Sequence, residues 1–162
     1  MITAVISARG SIEGLGVTLS ALVGGVVDGL VGDAVIVAPA RSPEVERIAD
    51  AMGASLVISA EDPWRRGAAR ARQDWILCLD AGDVPREGWQ RSLERFIAHC
   101  PSDRRFGRFT RSPSGLGDRL SAWLSLDVRA GDLVHHTLLA QAGRRIRPIR
   151  LTAVLERDVL AE

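Results

Sequence analysis

Ile76-Leu77-Cys78-Leu79-Asp80-Ala81-Gly82-Asp83-Val84-Pro85 decides how the rest of the chain is read. Trp75–Leu79 is a short, uninterrupted apolar run, the pattern of a strand buried on both faces. It delivers two carboxylates, Asp80 and Asp83, to a turn. Pro85 then opens a predicted helix to about His99, with Trp89, Leu93, Phe96 and Ile97 as its apolar stripe. Upstream the same alternation repeats. Thr3–Ser7 reads as a strand ending at an Ala8-Arg9 turn, and Ser11 as the cap of a helix facing the core with Leu15, Leu19, Leu22, Val23 and Val26. Ala34–Val37 is a second strand. Ser42-Pro43-Glu44 starts a helix carrying Val45, Ile48, Ala49 and Met52, which Gly53 ends, and Ser55–Ile58 is a third strand. Strands alternating with helices imply an α/β domain: a mostly parallel central sheet with helices on both faces, in three layers.

After Pro101 the pattern loosens. Arg104–Thr110 reads as an edge strand, Leu116–Leu126 as a helix with Leu116, Leu120, Trp123 and Leu124 together. Leu133–His136 reads as a short strand, Thr137–Ala142 as a turn of helix, and Ile146–Val154 as a final strand. With no linker or repeat between these elements, 1–162 reads as one domain, its first hundred residues forming one half and 101–162 a shorter second half.

Composition narrows the function classes. The net charge of +1 predicts no nucleic-acid partner, and apolar content of 46% is that of a globular protein. Lys, Asn and Tyr are absent, so all 21 basic residues are Arg; since all three use A/T-rich codons, codon usage explains this before phosphate binding does. Cys78 and Cys100 show neither disulfide nor zinc spacing, which suits a reducing compartment. Met1-Ile2-Thr3 leads into a strand without a signal-peptide pattern, and the uncharged stretch Gly14–Val27 is too short and glycine-rich to span a bilayer. The expectation is a soluble, cytoplasmic protein.

In an open parallel sheet, ligands bind beyond the carboxyl ends of the strands, here just after Ser7, Val37, Ile58 and Leu79. Two readings of the Asp80–Asp83 turn stay open on the residues alone. Two hard oxygen ligands three residues apart can hold Mg²⁺ or Mn²⁺ while diphosphate oxygens fill further positions; or Asp83 caps the Pro85 helix.

The order of segments carries more than any one motif. The Thr3–Ser7 strand with its Ala8-Arg9 turn, DAVIVAPARSPEVERIADAMGASLV, WRRGAARA and DWILCLDAGDVPREGW succeed one another. Together they resemble the amino-terminal half of family-2 glycosyltransferases, which share the GT-A fold and use nucleotide-diphosphate sugars. The resemblance covers about Met1 to Phe96. It implies a nucleotide-diphosphate sugar as partner, with Ser7, Ala8 and Arg9 against the nucleotide, Arg66 and Gly67 near base and ribose, and Asp80 at the metal and diphosphate. Asp80 and Asp83 would hold the Mg²⁺ or Mn²⁺.

The departures from that pattern are specific. Ala38-Pro39-Ala40 replaces the acids that usually follow the second strand, and Gly82 stands where the metal motif has its second Asp. The stretch Thr137–Arg150, where the family carries an acidic base, has no acid. Asp132 is the nearest candidate base, by elimination, and a loop acid is the alternative. His135 and His136, adjacent on a strand, are expected on opposite faces. Arg144, Arg145, Arg147 and Arg150 form a basic stretch with a diphosphate, a lipid headgroup or solvent as its neighbour. The function readings are a minimal glycosyltransferase and a module that kept the fold without the chemistry.

Overall fold

The computed structural model describes residues 1–111, 126–140 and 146–158. The expected Leu116–Leu126 helix, Arg144 and Arg145 lie outside these residues, apart from Leu126. Among the described residues eight strands form one sheet in the order β3-β2-β1-β4-β7-β6-β8-β5. The strands are β1 Ile2–Ser7, β2 Val31–Ala38, β3 Ser55–Ile58, β4 Trp75–Asp80, β5 Asp83–Pro85, β6 Phe106–Arg111, β7 Asp132–His135 and β8 Ile149–Arg157. The β3-β2-β1-β4 half is wholly parallel, as is the β6·β8 pair, whereas β7 runs antiparallel to both β4 and β6, and β5 to β8.

Helices cover both faces. On one side α1 (Ile12–Val27), α2 (Pro43–Met52) and α4 (Trp89–His99) enclose Ile2, Ile6, Ile36, Leu77 and Leu79. On the other, α3 (Pro63–Ala68) and α5 (His136–Ala140) cover Val5, Val35, Val37, Ile76 and Cys78. Period-two alternation along β1 and β4 feeds both layers, which is why their sequences read as continuous apolar runs. No helix among the described residues is long and apolar enough to cross a membrane.

Ser11 caps α1 as its residue type implies, its Oγ accepting from the Gly14 amide at 3.0 Å. The buried face of α1 differs from expectation. It carries Leu15, Thr18, Leu19, Leu22 and Gly25, while Val23 and Val26 are exposed. Gly25 sits there because Trp89 does: a Cβ at 25 would lie 2.7 Å from the indole. Ser42 stands at the start of α2 without a side-chain cap bond.

Two further expectations are corrected. Pro85 ends β5 instead of opening a helix, because Asp83–Pro85 pairs with Leu155–Arg157 of β8; α4 starts only after Gly88, at φ +84°. Strand β6 is interior, not an edge, paired to β7 on one side and β8 on the other. Its weak apolar alternation had the look of an edge strand.

Gly67 belongs to this packing. It is buried in α3, and a Cβ there would run into Val5 of β1 and press on Val37 of β2. Gly67→Ala is therefore expected to overpack the α3–sheet contact and cost about 1–3 kcal/mol. Equilibrium urea unfolding reads this; an unchanged midpoint would show that α3 can lift from the sheet freely.

Candidate functional site

The carboxyl ends of β1 and β4 meet side by side, Ser7 opposite Asp80 in the parallel register. The turn after β4 is held from several directions. Ala81 N donates to Ser7 O at 3.0 Å, and Gly82 N to both Thr18 Oγ1 and Gly14 O at 2.9 Å. Thr18 Oγ1 donates in turn to Asp80 O at 3.3 Å. Buried Thr18, on the otherwise apolar inner face of the helix, thus pins the turn to α1. Gly82 has φ +95°, a conformation side chains rarely adopt, so the backbone itself disfavours the acid that the family pattern would put there.

Asp83 faces inward. It is fully buried, its Oδ2 accepts from the Asp80 amide at 2.9 Å, and both its oxygens accept from Arg111 at 3.1 Å. Asp80 faces out: its side chain is about a third exposed, with Arg157 Nη1 3.8 Å from Oδ2. Burial above all, then the Asp83 charge, raises the Asp80 carboxyl above the usual range, against the pull of Arg157 and Arg111. The two acids are adjacent in the fold, but only Asp80 presents its carboxylate to the cleft.

That cleft has a volume of about 360 Å³. Ser7, Arg9 and Gly10 line it after β1, Pro63 and Trp64 at the start of α3, Asp80 between, and Arg129, Ala130 and Arg157 on the far side. Asp62, in a left-handed conformation at φ +41°, caps α3 by accepting from Arg65 N at 3.2 Å and so sets Pro63-Trp64 at the rim. Arg9 is held by donating to Ala60 O. Three arginines and one carboxylate make the lining cationic, a suitable surround for phosphate oxygens. The Ser7 hydroxyl is buried beside the Asp80 carboxyl, which it too helps to hold ionised. Among the described residues no three His, Cys, Asp or Glu side chains gather as a metal cage. One cleft-facing carboxylate beside a buried hydroxyl does fit a cation whose other ligands are ligand phosphates and water, as Mg²⁺ sites are commonly built.

The other sequence-derived residues are placed as follows. Ala8 packs against the core and donates its amide to Val37 O. Arg66 is exposed on α3 and does not line the cleft; Trp64, two residues earlier, does. Asp132 is fully buried, accepts from Arg108 Nε at 2.6 Å and Nη2 at 2.9 Å, and accepts from the Arg129 amide at 2.9 Å. It is one half of a buried ion pair and does not line the cleft. Arg129 and Arg157 were not singled out in the sequence; only the return of β7 and β8 to the β4 end places them there.

His135 and His136 come together instead of apart, ring centroids 4.6 Å from each other, because β7 ends at the first and α5 begins at the second. Burial, then the neighbouring His136, lowers the His135 pKa. This pair sits beside Trp75 and Asp74, at the opposite end of β4 from Asp80 and so roughly 16 Å away at strand rise.

No protein-family model matches the chain, and no curated protein matches it in sequence. Solved structures do match in fold. Glucosyl-3-phosphoglycerate synthase from Mycobacterium tuberculosis in complex with phosphoglyceric acid is 16% identical with a TM-score of 0.64, covering 85% of this chain and 57% of that one. The same enzyme with Mn²⁺ and UDP-glucose gives 15% and 0.63 over the same shares. S. aureus TarS in complex with UDP gives 14% and 0.60, over 86% of this chain and 48% of its own. The chain thus spans a little over half the length of the synthase and about half that of the TarS chain.

Removing one partner of the buried Arg108–Asp132 pair leaves an uncompensated charge, so Asp132→Asn is expected to cost about 3–5 kcal/mol. Arg108→Met with Asp132→Leu should recover most of that loss in the same urea titration. An Asp132→Asn protein of unchanged stability would show that the pair is not what holds β6 to β7. With its parallel half, its antiparallel β7 and the acid at the end of β4, the chain has the fold of GT-A glycosyltransferases.

Proposed function

We propose that this chain binds a nucleotide-diphosphate sugar in the cleft at the carboxyl ends of β1 and β4, together with one Mg²⁺ or Mn²⁺. The observation that carries the reading is the placement of Asp80, the cleft's carboxylate, between the Ser7–Gly10 turn and two arginines. The nucleotide lies along Ser7, Ala8 and Arg9, with Pro63 and Trp64 as the apolar wall for its base and with Arg66 and Gly67 supporting that wall from α3. Asp80 holds the cation, and Asp83 acts on it indirectly by fixing the Asp80 amide. When bound, the cation offsets charge on a leaving diphosphate. Arg9 and Arg157 add positive charge to either side. The cytoplasm is the fitting compartment, since Cys78 and Cys100 are free thiols.

Glycosyl transfer to an acceptor is the activity that goes with this ligand. One observation favours a second reading, a module that keeps donor binding with little or no transfer. Asp132, the acid available by elimination as the base, has its oxygens engaged by Arg108 and the Arg129 amide. Loss of a general base costs about 10²- to 10⁴-fold in rate. Slow hydrolysis of the donor is then the most that purified protein shows, and brisk transfer abolished by Asp132→Asn in a still-folded protein would restore Asp132 as base.

Calorimetric titration with UDP tests the binding itself. A single protein carboxylate on the cation implies a dissociation constant of hundreds of micromolar, about 5 kcal/mol. Affinity is expected to rise with Mn²⁺, and Asp80→Ala to abolish that gain. Equal affinity in Mn²⁺ and in chelator would reduce the Asp80 turn to a structural feature.

A further inference from the structure

Strand β7 is four residues long, and among the described residues it alone joins the β3–β4 half of the sheet to β6. Arginines from the β6 side hold it at both ends. At the cleft end Arg108 grips Asp132; at the other end the residue held is His135, and its partner is Arg105, one residue before β6. The Arg105 carbonyl also accepts from the His135 amide at 3.1 Å. The first join pairs unlike charges. The second sets a cation against a ring that can itself become one.

The hydrogen bonds fix how that ring is protonated. A guanidinium has no acceptor, so Arg105 Nη1, 3.3 Å from His135 Nε2, is the donor and Nε2 holds a lone pair. The proton of the neutral ring is then on Nδ1, which donates to Thr137 Oγ1 of α5 at 2.9 Å. The ring is buried, edge-on to Trp75 of β4 at 5.4 Å between centroids. A second proton has one place to go, Nε2, where it removes the acceptor and faces the Arg105 N–H groups. Burial opposes that charge most, then His136 when protonated, then Arg105, and together they lower the His135 pKa. Asp74, before β4, pulls the other way, but its side chain is 76% exposed and solvent weakens its pull. We propose that His135 is an acid-sensitive clasp. It seats between Arg105 and Thr137 only as the neutral imidazole with its proton on Nδ1, and on protonation it releases Arg105 and opens the β6–β7 join at the end away from the cleft.

Two measurements on the whole chain test this. Long-range proton–nitrogen NMR spectra at about pH 7.5 should show the His135 proton on Nδ1 and a bare Nε2; a proton on Nε2 overturns the proposal. Urea unfolding between about pH 7.5 and 5.5 reads the consequence. Above about pH 6.5 the ring is neutral both folded and unfolded, and below it the unfolded chain takes up a proton that the folded chain refuses. The stability is therefore present above that range and lost as the pH falls, the unfolding constant rising by up to about tenfold at pH 5.5. His135→Gln keeps an acceptor for Arg105 and cannot titrate, so the ratio of wild-type to variant unfolding constants should rise by that factor across the range. A constant ratio overturns the proposal. Arg105→Met, measured alongside, removes an opposing charge and should lose less stability in acid than wild type; a loss equal to that of wild type overturns the clasp, and this comparison decides alone if His135→Gln does not fold.

Discussion

The Asp83 carboxylate joins three distant parts of the chain. It accepts from the amide of Asp80 at the end of β4, opens β5 against β8, and binds both terminal nitrogens of Arg111 on β6. A wholly buried carboxylate is tolerable only with its lone pairs satisfied, and here backbone and guanidinium satisfy them together. The consequence for the site is directional. With Asp83 drawn inward, the chain between them turns at Gly82, and Asp80 is left facing the cleft with its ionisation opposed first by burial and then by its neighbour's charge.

The two halves of the sheet are held together by different physics. From β3 to β4 the strands are apolar on both faces, and helices close over them by hydrophobic burial, at about 1.5–3 kcal/mol for each large side chain. From β7 to β5 ion pairs join the strands: β6 carries two arginines whose partners are acids of β7 and β5, far away in sequence. That polar construction makes the second half of the cleft cationic, with Arg129 and Arg157 on its far side.

The first half was legible in the sequence because its determinants are local. Apolar runs, the Ser11 cap and an acid at the end of Trp75–Leu79 each report on their own neighbourhood, and the β1 and β4 ends emerged where the pattern placed them. What was not legible depended on long-range pairing. Asp83 looked like a metal ligand or a helix cap because nothing nearby announces Arg111. Asp132 looked like an available acid because Arg108 is 24 residues away. Gly67 resembled a ligand-contacting glycine, whereas Val5 and Val37 are the reason for its lack of a side chain. Trp64, a large aromatic directly after a helix-starting Pro63, was the missed cleft residue that did carry a readable local signal.

Paramagnetic broadening by Mn²⁺ in the presence of UDP tests the location of the site most directly. In amide NMR spectra of the whole chain, substoichiometric Mn²⁺ with UDP should erase signals of Ser7–Gly10, Asp80–Gly82 and Arg129–Gly131 first, and leave Asp74, His135 and His136 sharp at the other end of β4. The relaxation effect falls steeply with distance, so the roughly 16 Å between the two ends of that strand separates the outcomes. Broadening centred on the His135–His136 pair, or spread evenly over surface acids, would contradict a cation site at Asp80.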